Sequence, residues 1–240
     1  MAVRIILVGT THPGNIGATA RAMKNMGLKD LVLVSPRFFP HADATARASG
    51  AEDILEAARV VDRLDEALAD CVYAAGASAR SRAIDWPFME PRECARRLGE
   101  ESVAGNVAVV FGPEKSGLTN DDLDRCNTLL TIPTDPAFSS LNIAMAVQII
   151  CYELRLLEHA TADAPEPDVP PATGEEYEHF YSHLENVLTE SGFLDPENPR
   201  LLMRRLRRLF IKAELDKNEV NILRGILSAL DPTKSKGKIR

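Results

Sequence analysis

No stretch of 18 apolar residues occurs anywhere in this 240-residue chain, so a membrane-spanning helix is excluded. The N-terminal apolar run is only a few residues long and gives way to His12-Pro13-Gly14-Asn15, too short for the apolar region of a signal peptide. No membrane partner and a cytosolic, cytoplasmic location are therefore expected. The four cysteines, Cys71, Cys94, Cys126 and Cys151, form no C-x-x-C pair, which argues against zinc ligation or a redox motif and for buried free thiols. His12, His41, His159, His179 and His183 are scattered, and no metal site is expected. The loop Gly9 to Gly17 lacks the G-x-G-x-x-G spacing. The next strand ends in Val34-Ser35-Pro36, with no carboxylate for ribose hydroxyls. Both absences weigh against NAD binding and against a Rossmann-type methyltransferase.

What is present is an ordinary globular composition with an uneven charge. Hydrophobic residues make up 45% and charged residues 26% of a chain whose net charge is −7. From Arg200 to Arg240, however, twelve Lys/Arg face four Asp/Glu, a net of +8, so the first 199 residues carry −15. A basic segment on an acidic protein suggests a polyanionic partner, although a solvated basic tail reads the same way.

Through residue 158 the chain reads as alternating strand and helix. Apolar runs at Val3–Val8, Leu31–Val34, Cys71–Ala75, Val107–Phe111 and Leu129–Ile132 read as strands. Helical patterns fall at Ile16–Met26, Ala51–Arg59, Asp65–Ala69, Pro91–Leu98 and Asn120–Cys126. The expected fold class is α/β, a parallel sheet with helices on both faces. Gly27 suits the residue after the first helix, and Thr119-Asn120 a helix start. Leu141 to Leu157 is apolar almost all round and must be buried, in the core or against a second subunit; a homodimer interface is the preferred reading.

The segment from 159 to 174, with four prolines and hardly an apolar residue, reads as a linker. Three helices follow in 175–240, a small all-α extension. Asn198-Pro199 reads as the start of the helix Arg200 to Lys212, and Asp216 with Glu219 as a capping box for the last one. On a wheel, Leu202, Leu206, Leu209, Phe210 and Ala213 share an arc of about 100°. Arg204, Arg205, Arg207, Arg208 and Lys212 occupy the other side, within about 160°. No carboxylate interrupts them between Arg200 and Lys212, which favours a phosphate-binding face over a merely solvated one.

Three segments sit where a strand should hand over to a helix: Asn15-Ile16-Gly17-Ala18-Thr19-Ala20-Arg21, Phe111 to Leu118, and Ile132-Pro133 leading to Ser139-Ser140-Leu141-Asn142. Open α/β sheets bind ligands outside the carboxyl ends of their strands, so the three loops describe one site. Ala18, Ala20 and Ala22 leave room around Arg21 for a partner. Taken singly, Ser139 or Ser140 also reads as a helix cap, and Glu114 as a solvated carboxylate.

In order and spacing these segments resemble the three motifs of the SPOUT, or trefoil-knot, RNA methyltransferases, and among them the bacterial TrmJ type, which methylates a ribose 2′-hydroxyl in tRNA. Asn15 and Arg21 match the first motif, Glu114 the second, and Ser140 with Asn142 the third. The resemblance covers essentially the whole chain and implies a C-terminal trefoil knot in the catalytic domain, 1–158. It implies S-adenosylmethionine held by Ala77, Ser78, Gly112, Glu114, Gly117, Ile132, Ser140 and Leu141, without a metal. It also implies a homodimer, and tRNA as substrate, at nucleotide 32 of the anticodon loop. Asn15, Arg21, Ser140 and Asn142 are the expected catalytic residues. Arg80 and Arg82, on a further polar loop, join Arg204, Arg205, Arg208 and Lys212 as expected RNA contacts; for the first two a surface ion pair with Asp85 or Glu90 is the alternative. A tRNA-binding module without catalysis is the competing reading.

Overall fold

The computed structural model describes residues 3–78, 88–158 and 168–231. The chain divides into two compact units, Met1–Glu166 and Pro167–Arg240.

The first unit is built on seven strands, all parallel: β1 (Val3–Val8), β2 (Leu31–Val34), β3 (Arg59–Val61), β4 (Cys71–Ala77), β5 (Phe88–Met89), β6 (Asn106–Phe111) and β7 (Thr128–Leu130). Their order is β3-β2-β1-β6-β4-β7-β5. β1 is central, Ile5 lying opposite Leu31 on one side and Val109 on the other. The side-chain period of two divides each strand between two cores. Ile5, Leu7, Val107 and Val109 face one. Ile6, Ala108 and Val110 face the other. A parallel sheet covered on both faces produces near-continuous apolar strands, and each large aliphatic side chain buried this way stabilises the fold by ~1.5–3 kcal/mol.

Helices α1 (Pro13–Asn25), α2 (Ala42–Ala48), α3 (Glu52–Ala57), α4 (Leu64–Leu68), α5 (Pro91–Glu101), α6 (Asn120–Leu123) and α7 (Ile143–Glu158) connect the strands. α1 and α2 approach closely. A Cβ on Gly17 would fall 2.0 Å from the carbonyl oxygen of Ala44. Ala20 and Ala22 are buried in the core on that side of the sheet and leave no room for a partner; among the three alanines Ala18 is partly open.

At the amino end of β1, Arg4 is buried and donates to Asp30 at 2.9 Å, to Asp70 at 2.5 and 3.1 Å, and to the Ala67 carbonyl at 2.8 Å. The Arg4 hydrogen bond holds the Asp70 carboxyl at about 2, against the opposing effect of burial.

The second unit contains α8 (Gly174–Glu190), α9 (Leu202–Ala213) and α10 (Lys217–Leu230). Tyr177, Phe180, Tyr181, Leu184, Ile211 and Val220 form its core. Thr173 and Asp216 close capping boxes with Glu176 and Glu219.

Several elements differ from the expectation. Asn198-Pro199 does not start α9: Arg200 sits at φ +50°, which breaks the helical path, and α9 begins at Leu202 without a side-chain cap. Arg59 belongs to β3 instead of the helix before it. β7 is displaced toward the N-terminus and ends at Leu130. α2, β3 and β5 were not expected. α2 buries only Ala44 and Ala48, and the two strands are three and two residues long, too little for a periodic pattern to register.

Candidate active site

Four neighbouring strands, β1, β6, β4 and β7, release their loops at one end of the sheet. Between the last three lies a cavity of about 320 Å³. Ala77, Ser78, Gly112, Glu114, Gly117, Ile132, Ser140 and Leu141 all line it, together with Phe111, Pro113, Lys115, Ser116, Leu118, Leu130, Ser139, Ile143 and Ala146. The second group was not expected individually, although Lys115, Ser116 and Ser139 stand inside the same loops. The loop 112–118 is folded back on itself: a Cβ on Gly112 would lie 2.2 Å from the Leu118 nitrogen, and Gly117 adopts φ +67°. Only glycine meets both demands without strain.

Glu114 ties this loop to the first one. Its Oε2 accepts from the Thr11 amide at 3.1 Å and the Thr11 hydroxyl at 2.8 Å. Its Oε1 accepts from the His12 amide at 3.1 Å and from Asn15 Nδ2 at 2.8 Å. Four donors saturate a carboxylate. Burial pushes this carboxyl up, but Asn15, its own backbone amide and the two Thr11 donors outweigh it and hold the group at about 2. Glu114 is therefore not a carboxylate that simply faces water.

The chain of bonds continues. Asn142 Nδ2 donates to Asn15 Oδ1 at 3.0 Å, and Asn142 Oδ1 accepts from the Ala144 amide at 2.9 Å. Asn142 thus caps α7, a role that Ser139 or Ser140 had also fitted. With Nδ2 committed to Glu114 and Oδ1 to Asn142, the Asn15 amide has one orientation. Asn15, Glu114 and Asn142, drawn from the three motifs, form one network. Ser140 lies at the cavity wall, while Asn15, Asn142 and Arg21 do not line the cavity. Arg21 is exposed on α1, and among the described residues it has no hydrogen-bond or ion-pair partner.

The two sides of α7 differ. Ile143, Val147, Ile150, Cys151 and Leu154 are buried. Met145, Tyr152 and Leu156 are exposed by 62, 49 and 42%, and with the half-buried Ile149 they form a stripe at spacings of four, three and four.

On α9 the cationic face is only partly free. Arg207 makes a two-pronged pair with Glu178, at 2.6 and 2.9 Å, and lies 4.4 Å over the Tyr181 ring. It therefore anchors α9 to α8 and is not part of a free cationic stripe. Arg205 and Lys212 are exposed, and Arg204 and Arg208 are half-buried with partners of their own. Leu209, expected on the apolar face, is 60% exposed, because the core side of the helix is centred on Met203, Leu206, Phe210 and Ile211. Arg80 and Arg82 lie outside the described residues. Among the described residues no three His, Cys, Asp or Glu side chains gather as a metal site, and no helix is long and apolar enough to cross a membrane.

A parallel sheet carries a cavity at its carboxyl end, and one hydrogen-bond network ties two of the cavity's wall loops to the loop after β1, an arrangement suited to a methyltransferase of the α/β class. Residues 2–152 match the SpoU rRNA methylase family, and the chain belongs to that family. Residues 175–239 match the C-terminal domain of the tRNA methyltransferase TrmJ. The tRNA (cytidine/uridine/adenosine-2′-O-)-methyltransferase TrmJ of Pseudomonas aeruginosa is 54% identical over 94% of this chain and 92% of its own length. The crystal structure of TrmJ from Z. mobilis ZM4 superposes with a TM-score of 0.85 at 39% identity, covering 96% of this chain and 99% of that one. The SpoU methyltransferase AviRb from Streptomyces viridochromogenes, solved with AdoMet, shares the fold at a TM-score of 0.53 and 18% identity, over 67% of this chain and 62% of its own.

Proposed function

We propose that the protein is an S-adenosylmethionine-dependent tRNA 2′-O-methyltransferase acting on nucleotide 32 of the anticodon loop. The observation that carries this reading is the Glu114–Asn15–Asn142 network beside a cavity of about 320 Å³. The names of its relatives support tRNA and a 2′-O-methyl product, and the position within the tRNA is the further step.

The residues present fit the cofactor. Leu118, Leu130, Ile132 and Ile143 supply apolar walls suited to a purine. The amides of Ile132 and Leu141 have no hydrogen-bond partner among the described residues and remain free for a ligand. Glu114 keeps a full negative charge held by neutral donors at the cavity wall, which favours a cationic ligand. We assign the holding of the cofactor to Ala77, Ser78, Gly112, Gly117, Ile132, Ser140 and Leu141. When bound, S-adenosylmethionine supplies a sulfonium methyl group for in-line transfer to a ribose oxygen.

The chain's own task is to position and polarise a poor nucleophile. The Arg21 guanidinium clamps the target phosphate and stabilises the developing alkoxide. Ser140 or Asn142 orients the hydroxyl, and the fixed Asn15 amide holds Asn142 in place. The exposed stripe on α7 supports a homodimer, and Arg205 and Lys212, with their neighbours Arg204 and Arg208, support a tRNA-binding role for the helical extension, 175–240. The crowding of the 112–118 and 131–142 loops around one cavity supports the knot, and a cytoplasmic location follows from the substrate.

The test is mass spectrometry of tRNA incubated with the protein and S-adenosylmethionine. A 2′-O-methylated nucleoside that maps to position 32 is the expected result. Methylation elsewhere would refute the position, and its absence the activity. Sedimentation should give twice the mass of the 26.3 kDa chain, and Ile149→Glu, on the α7 stripe, should give single chains.

A further inference from the structure

The segment that follows β2 carries a basic and aromatic surface that the proposed chemistry does not use. Arg37 and Phe38 are exposed just past the carboxyl end of β2, and the Arg37 guanidinium lies 5.2 Å from the centroid of the Phe38 ring. Phe38 is 48% exposed, and the ring of His41 sits 6.5 Å away, tilted by 54°. Arg47, on α2, is exposed as well.

Two contacts join this surface to the first motif loop. The Arg37 amide donates to the Thr10 carbonyl at 3.0 Å. The Arg47 side chain lies against Gly14, next to Asn15: a Cβ on Gly14 would fall 2.7 Å from its Cδ and Nε. Neither guanidinium has a carboxylate partner among the described residues, in a chain of net charge −7. Asp43 lies 3.8 Å from His41 Nδ1.

Free guanidinium groups beside an exposed aromatic face, at the ligand-binding end of a parallel sheet, match the chemistry of unpaired RNA. Unstacked bases stack on aromatic rings and guanidinium planes, and the phosphates between them pair with arginine. A protein partner would be met by a surface with more apolar area than one half-exposed ring. Resting on the tRNA reading above, we infer that Arg37, Phe38, His41 and Arg47 form a shelf that stacks an unpaired base of the RNA next to the target ribose and holds its flanking phosphates. The first loop presents Asn15, which positions Asn142, and the shelf together, so a base seated on the shelf fixes the register of the strand.

The test uses the full-length protein and tRNA, with affinity measured by anisotropy across a salt series and methyl transfer measured in single turnover. Phe38→Ala should weaken tRNA binding by roughly 5- to 100-fold with little change in salt slope. Phe38→Tyr, which keeps the ring, should restore it. Arg37→Gln combined with Arg47→Gln should reduce the slope of log K against log salt by about 1.4–1.8, two phosphate contacts' worth. S-adenosylmethionine binding by calorimetry and the dimer mass should not move in any variant. If all variants bind tRNA with wild-type affinity and salt slope while the wild type methylates it, the shelf is refuted and the tRNA reading stands. If the wild type neither binds nor methylates tRNA, both fall together.

Discussion

Two carboxylates at opposite ends of the same sheet are both held at about 2, by different means. Asp70, at the amino end, is held ionised by the buried guanidinium of Arg4, which also pairs with Asp30, so one buried cation serves two carboxylates. Glu114, at the carboxyl end, receives only neutral donors, from the Thr11 and His12 amides, the Thr11 hydroxyl and the Asn15 side chain. The first arrangement clamps elements of the fold together around a buried cation. The second leaves a net negative charge at the wall of the cavity and uses it to order a loop. The difference separates a structural pole from a chemical one.

The largest effect expected at the chemical pole comes from Arg21→Ala. Removing one donor that acts on developing charge costs ~10²–10³ in rate. Single-turnover methyl transfer should fall by that factor, with S-adenosylmethionine binding and the melting temperature nearly unchanged.

At the structural pole the expected loss is one of stability. Asp70→Ala leaves the buried Arg4 with Asp30 as its remaining acid. A fully buried pair broken in this way costs ~3–5 kcal/mol, and because the Asp70 side chain is 51% exposed, about 1–2 kcal/mol is expected. Urea unfolding measures it, and methyl transfer per folded molecule should be unchanged.

The smallest effect sharpens the comparison through pH. Both carboxyls are lowered in the folded state, from 3.8 and 4.5 to about 2, so each contributes stability that is present above its unfolded value. That contribution is lost as the pH falls from about 4.5 toward 2. Thermal melts should show this loss in the wild type, a smaller one in Asp70→Ala and in Glu114→Gln, and none of it between pH 6 and 8.

The strands of the central sheet and eight of the residues that line the cavity were legible, because each Gly-containing loop follows a continuous apolar run. The network that joins those loops was not. Asn15 and Glu114 are 99 residues apart and Asn15 and Asn142 are 127 apart, so no local pattern carries their contact. The alanines near Arg21 misled for a similar reason: small residues suit close packing as well as ligand access, and the tertiary fold that buries Ala20 and Ala22 decides between them. On α9 the helical wheel found the cationic side but not the partner of Arg207, since Glu178 lies 29 residues earlier on another helix. The left-handed Arg200, which displaced the start of α9, carries no mark of its own in the sequence.

Glu114 is expected to order the loop after β1 for activity, beyond what it adds to the stability of the fold. Glu114→Gln tests it most directly, because one amide group of the glutamine would point a donor at donors. Its melting temperature and its single-turnover methyl-transfer rate should be measured on the same preparation at pH 7.5. Displacing catalytic groups by an ångström costs ~10²-fold. A rate lowered by about that factor is expected, with a melting temperature within a few degrees of the wild type. A wild-type rate, or a rate lost only in proportion to unfolded protein, would contradict it.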